Sequence, residues 1–207
     1  GGDSPATLGG IWLVKGARAK VQASECWRDD TKGEGTFDRN RDWITLPMIR
    51  KCVDGGQPIM GIGGSFQEVA VAMGCTLHPE IREIEGRDNH RMPPDGTLDE
   101  KFEMRHIVKV TDGGPFHRLW GEREVLTNSL HGQGILDLSP RIVVDGTASD
   151  STPEAIYVKG AAGFTLAVQW HPEWQAEFDP VSKPLFQAFG QAAVAWAQLK
   201  EAVCIKA

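Results

Sequence analysis

The sequence predicts an α/β fold around a mixed sheet, from three observations. Short apolar runs bounded by glycine read as buried strands, helical periods lie between the early ones, and strands dominate the later half. Length and composition agree: 207 residues, 41% hydrophobic and 24% charged, suit one domain over residues 1–207 with a single core.

Ile11-Trp12-Leu13-Val14 is an apolar run closed by Lys15-Gly16-Ala17, a strand ending in a tight loop. Residues 25–41 are polar and glycine-containing, a long surface loop of the kind that is often functional. Ile44, Met48, Ile49, Cys52 and Val53 keep a helical period, with Pro47 placing the start of the regular helix and Gly55-Gly56 its end. A second buried strand over 58–62 runs into a second helix over 65–73 through Gly63-Gly64. Residues 79–103 are charged and Pro/Gly-rich, a surface excursion. Strands follow over 105–110, 123–128, 141–146, 155–159 and 164–169. The last helix, over 183–201, carries a stripe of Leu185, Phe189, Ala192, Ala193, Trp196 and Leu199.

Several function classes are excluded early. No apolar run approaches the roughly 18 residues a membrane span needs. A net charge of −6 without a Lys/Arg cluster argues against nucleic acid as a partner. The start, Gly1-Gly2-Asp3, has no signal-peptide character, and the four cysteines are too scattered for a disulfide scaffold or a zinc cage. A reducing, cytoplasmic setting is the expectation.

Three segments can carry chemistry. In Trp170-His171-Pro172-Glu173-Trp174, Pro172 holds His171 extended, so residues two apart share a side and Glu173 can orient the His171 imidazole as a general base. A surface His–Glu pair at a strand end is the plainer reading. Pro58 to Glu68 has the strand–turn–helix layout of a nucleophile elbow, which lifts one side chain above the sheet at a helix N-terminus. Asn128-Ser129-Leu130-His131-Gly132-Gln133 is a polar cluster past a strand, and a capped turn explains it equally well.

Together the segments resemble the class I glutamine amidotransferase-like hydrolases, of the gamma-glutamyl-gamma-aminobutyrate hydrolase type. Members read P-[IV]-L-G-I-C-R-G-x-Q-E at the elbow, then N-S-L-H-G-Q, then G-V-Q-W-H-P-E-W. Here Pro58–Glu68, Asn128–Gln133 and Ala167–Trp174 match in order. Gly16 to Gln22 is similar to the family's oxyanion loop, with Lys20 for its usual Asn, and Arg41-Asp42 with Thr45-Leu46-Pro47 fits R-D-x-x-T-L-P. The resemblance covers about residues 9–195. It implies a three-layer, flavodoxin-like fold with a mostly parallel mixed sheet. It also implies that the family's first strand and helix are missing ahead of Ile11, leaving a sheet edge exposed or covered by a partner.

Carried over by position, His171 is the general base and Glu173 its orienting acid in the family's Cys–His–Glu triad. Ala17 and Gly64 supply the oxyanion hole, and Gln67, Ser129, Leu130 and His131 bind the glutamyl end of the substrate. The family's reaction is thiolate attack on a gamma-glutamyl amide, with loss of amine and hydrolysis of the thioester. No cofactor is implied, and no metal, since His131, His171 and Glu173 lack metal-ligand spacing.

The nucleophile position is Gly63, which has no side chain to attack with, and Gly64 and Ser65 stand where Arg and Gly are usual. Cys52 and Cys75 read as core, and Ser65 as a helix cap. Two functions follow. One is a gamma-glutamyl hydrolase family member, tied to polyamine (putrescine) breakdown, impaired by Gly63. The other is a pseudoenzyme that serves as a binding or scaffold subunit. The expected partners are a gamma-glutamylated amine or glutamate-like ligand, and a homo-oligomer or larger assembly.

Overall fold

The computed structural model describes residues 9–15, 19–21 and 36–204. Ala17 and most of the 25–41 loop lie outside these residues.

β1 (Ile11–Lys15), β4 (Ile59–Gly63) and β11 (Thr165–Val168) are parallel neighbours, with Lys15 beside Gly63 and Val168 beside Ile62. β10 (Pro153–Val158), β9 (Ile142–Ala148), β6 (His106–Val110) and β7 (Glu124–Thr127) continue the sheet antiparallel, giving the order β1-β4-β11-β10-β9-β6-β7. The mixed sheet is as expected, but "mostly parallel" is corrected: two strand pairs are parallel and four antiparallel. The reason lies in the connections. β9 and β10, and β10 and β11, are joined over residues 149–152 and 159–164, too short for the crossover that a parallel pair requires. The strand pairs β2 (Ala19–Lys20) with β3 (Thr36–Phe37), and β5 (Leu77–His78) with β8 (Gly134–Ile135), lie outside this sheet.

The centre of the sheet, β4 and β11, is buried on both faces. Ile59 of β4 and Ala167 of β11 join one cluster with α1 (Arg39–Asp54) and α2 (Gly64–Ala72). Met60, Ile62, Leu166 and Val168 join the other, with Phe116 of α4 (Pro115–Trp120) and Leu185 of α5 (Ser182–Cys204). Burial on both faces is why these strands read as continuous apolar runs.

α1 starts earlier than Pro47 suggests. The Asp38 carboxylate accepts from Arg41 N at 3.0 Å and caps the helix, and Pro47 sits in its interior. α4 was not expected, although Pro115 at its start and left-handed Gly121 at its end are helix boundary residues. The 79–103 excursion holds a 3-10 turn, Ile81–Glu83, and begins α3 (Leu98–Lys101), whose Thr97 and Glu100 form a capping box.

Candidate functional site

Parallel strands deliver their C-terminal ends to one edge, where ligands bind in open α/β sheets. Because β4 and β11 are in register, the residues just past them meet. Gly63 closes β4 with φ 58° and ψ −120°, then α2 begins at Gly64. Glycine takes this positive φ without the strain a side chain would add. The turn therefore has the elbow layout.

His171 faces it. A Cβ on Gly63 would lie 2.6 Å from both Cε1 and Nε2 of His171 and 3.0 Å from the Lys15 carbonyl oxygen. The imidazole is held from three sides. Its Nδ1 meets Glu173 Oε1 at 2.7 Å, so that carboxylate fixes the proton on Nδ1 and leaves the Nε2 lone pair toward Gly63. Asn128 clamps the main chain, accepting from His171 N at 2.9 Å and donating to His171 O at 3.0 Å. Phe102, from the 79–103 excursion, packs edge-on against the ring at 5.7 Å and stacks on Trp174 at 4.6 Å. Phe102 and Trp174 also line a cavity of about 440 Å³ with Met104, Phe178 and Pro180.

Gln67 projects from α2 beneath the elbow. It donates to Gln133 O at 3.1 Å and to Gln169 Oε1 at 3.0 Å, and Gln169 in turn donates to Gly63 O at 3.2 Å. Gly64, as the first residue of α2, has a main-chain N–H without an intrahelical acceptor. Its expected oxyanion partner, Ala17, lies outside the described residues.

The positions flanking the elbow are tightly filled. Lys15, 2% exposed, pairs with Asp42 at 2.6 Å and Glu68 at 3.3 Å. Arg41 also bonds Glu68, at 2.9 Å. A Cβ on Gly64 would fall 2.8 Å from Lys15 Cγ, so the lysine stem occupies the space next to that glycine. Ser65 is not the helix cap. The elbow turn puts Gly63 at that position, and the Ser65 hydroxyl donates to Glu68 Oε2 at 2.8 Å. Cys52 and Cys75 are buried free thiols, and burial pushes both up from the ordinary thiol range.

Leu130 is buried, whereas the polar groups of Ser129 and His131 turn to a second cluster. Ser129 Oγ donates to His90 O at 2.9 Å, and His131 Nε2 lies 3.2 Å from Glu154 Oε1. His90 and His106 complete this cluster with Asp150, so His131 does not stand alone as its sequence spacing suggests. Burial alone raises Glu154, but the charge and hydrogen bond of His131, the hydrogen bond of His90 and the charge of His106 bring it down to about 2. Burial also works against a protonated His90, yet Glu154 and Asp150 raise it overall. His90, His106 and Glu154 come from distant segments, and no local motif announces them.

Comparison with known proteins gives the same grouping. The Peptidase C26 family model matches residues 6–173. The gamma-glutamyl-gamma-aminobutyrate hydrolase PuuD of Escherichia coli K12 is 35% identical over 183 residues, 88% of this chain and 70% of that protein. The Shigella sonnei gamma-glutamyl-gamma-aminobutyrate hydrolase matches to the same extent, 35% over 183 residues, again 88% of this chain and 70% of its own. Among solved structures, a "putative gmp synthase subunit a protein" from Thermoplasma acidophilum superposes with a TM-score of 0.52 at 17% identity. It covers 75% of this chain and 67% of its own, a likeness of fold.

Proposed function

The chain belongs to the Peptidase C26 family, and on that premise we propose that it is a gamma-glutamyl hydrolase-type protein that binds gamma-glutamyl amines without cleaving them. The observation that carries this reading is the pairing of Gly63 with His171. The His171–Glu173 pair is oriented as a general base, and its Nε2 points at the elbow residue, which has no sulfur. In the family's reaction a thiol there would pass its proton to His171 and its sulfur would bond the amide carbon. The tetrahedral intermediate would then break its C–N bond, the amine leaving with the proton from His171 and a thioester remaining. Without the sulfur no thioester forms.

The space beside position 64, where the family's elbow carries Arg, is filled here by the buried Lys15 stem, whose ammonium pairs with Asp42 and Glu68.

Isothermal titration with gamma-glutamyl-gamma-aminobutyrate tests the binding half. Saturable one-to-one binding is expected, with the amide recovered intact afterwards. Absence of binding at millimolar ligand would favour a scaffold role with a closed pocket.

A further inference from the structure

The second cluster has the construction of a metal centre. We infer that His90, His106 and Glu154 bind a divalent transition-metal ion, with Zn²⁺ the best match, at a site separate from the Gly63–His171 pair. One donor atom from each of the three residues lies within 4.8 Å of the other two. Glu154 Oε1 is 3.3 Å from His90 Nδ1 and 3.9 Å from His106 Nε2. Ligands about 2.0–2.1 Å from a tetrahedral zinc sit roughly 3.3 Å apart, so modest adjustment brings these atoms to one centre.

Three features go beyond proximity. First, His106 Nε2 and Glu154 Oε2 are buried polar atoms without a hydrogen-bond partner, and Glu154 is fully buried. Orphaned groups of this kind are costly; a metal takes up the His106 Nε2 lone pair, and Glu154 engages its second oxygen where it ligates through both. Second, the outer contacts are those that orient metal ligands. His90 turns its far nitrogen, Nε2, to Asp150 at 2.9 Å, a carboxylate–histidine pair, while His131 steadies Glu154 Oε1 and bonds Gln133 O at 2.8 Å. Third, Glu154 and Asp150 are buried carboxylates at this cluster, and a divalent cation there offsets their two charges.

Two histidines and one glutamate make a zinc-compatible donor set with a fourth position for solvent. The ligands come from the 79–103 excursion, β6 and β10, so the ion ties the excursion to the sheet. Through Gln133 O, which accepts from both His131 and Gln67, it also braces the floor of the elbow.

The test uses the full chain, stripped by chelator and titrated with Zn²⁺ and separately with Co²⁺. One equivalent should bind and raise the melting temperature. Co²⁺ should give the intense visible bands of a four-coordinate ion. His106→Asn should weaken binding by at least about tenfold, while His171→Asn should bind like the parent chain. X-ray absorption of the Zn²⁺-loaded parent, expected to count two imidazoles, keeps the test independent of whether a variant folds. Stoichiometric binding unchanged by His106→Asn, or a Co²⁺ spectrum of the six-coordinate aqua ion, overturns the site. Neither readout depends on a gamma-glutamyl ligand, so failure here leaves the functional reading untouched, and the reverse holds too.

Discussion

His171 lies so close to Gly63 that a Cβ there would sit 2.6 Å from its Nε2, closer than side-chain atoms approach without moving. The imidazole occupies the space beside a residue that has no side chain to present to it.

Gly63→Ala should therefore destabilise the chain. The new methyl group must push back a ring held by Glu173 and Asn128, at a φ of 58° that favours glycine. A loss of about 1–3 kcal/mol is expected, readable by urea denaturation. Unchanged stability would mean that the imidazole moves freely.

Lys15 and position 64 should be coupled. Gly64→Arg alone meets the lysine stem and adds a like charge beside it, while Lys15→Ala alone removes the ammonium paired with buried Asp42 and Glu68, with Arg41 still bonding Glu68, and should cost up to about 3 kcal/mol. The double variant restores a cation and should lose clearly less than the sum. Additive losses in the thermodynamic cycle would show that the two side chains do not compete for one space.

Asn128→Ala removes both hydrogen bonds to the His171 main chain. Leaving a buried N–H and C=O unpaired should cost about 1–3 kcal/mol per group at most. The imidazole NMR signals should also broaden as the ring loses its anchor, an effect that a remote destabilising substitution would not produce.

Much of the fold was legible because the determining signals are local. The apolar runs at β1, β4 and β11 and the stripe on α5 mark elements by their own periodicity. The Trp170–Trp174 string likewise puts His171 beside Glu173, though through a turn that starts at Pro172, with Trp174 N bonding His171 O at 3.3 Å, rather than through the extended segment expected. What could not be read is long-range. Phe102 reaches His171 across 69 positions of sequence, and His90, His106 and Glu154 meet only once β6 and β10 are placed in the sheet. Sheet direction was missed for a similar reason, since the antiparallel pairing of β9 with β10 and of β10 with β11 follows from their short connections rather than strand content.

Cys52 and Cys75 should stay unmodified when the folded chain is treated with a thiol reagent or a glutamine-mimicking electrophile at neutral pH. Burial raises both thiols, leaving little thiolate, and Ser139 N bonds Cys75 Sγ. Peptide mapping after labelling checks this, and rapid alkylation of either would reveal a displaced nucleophile.

The central claim is tested most directly by glutamate release from gamma-glutamyl-gamma-aminobutyrate, measured for the parent chain and for Lys15→Ala/Gly63→Cys/Gly64→Arg/Ser65→Gly. The parent should release none above the uncatalysed rate, and the fourfold variant should gain turnover that Glu173→Gln then lowers. Enzyme-like release by the parent chain would contradict the account.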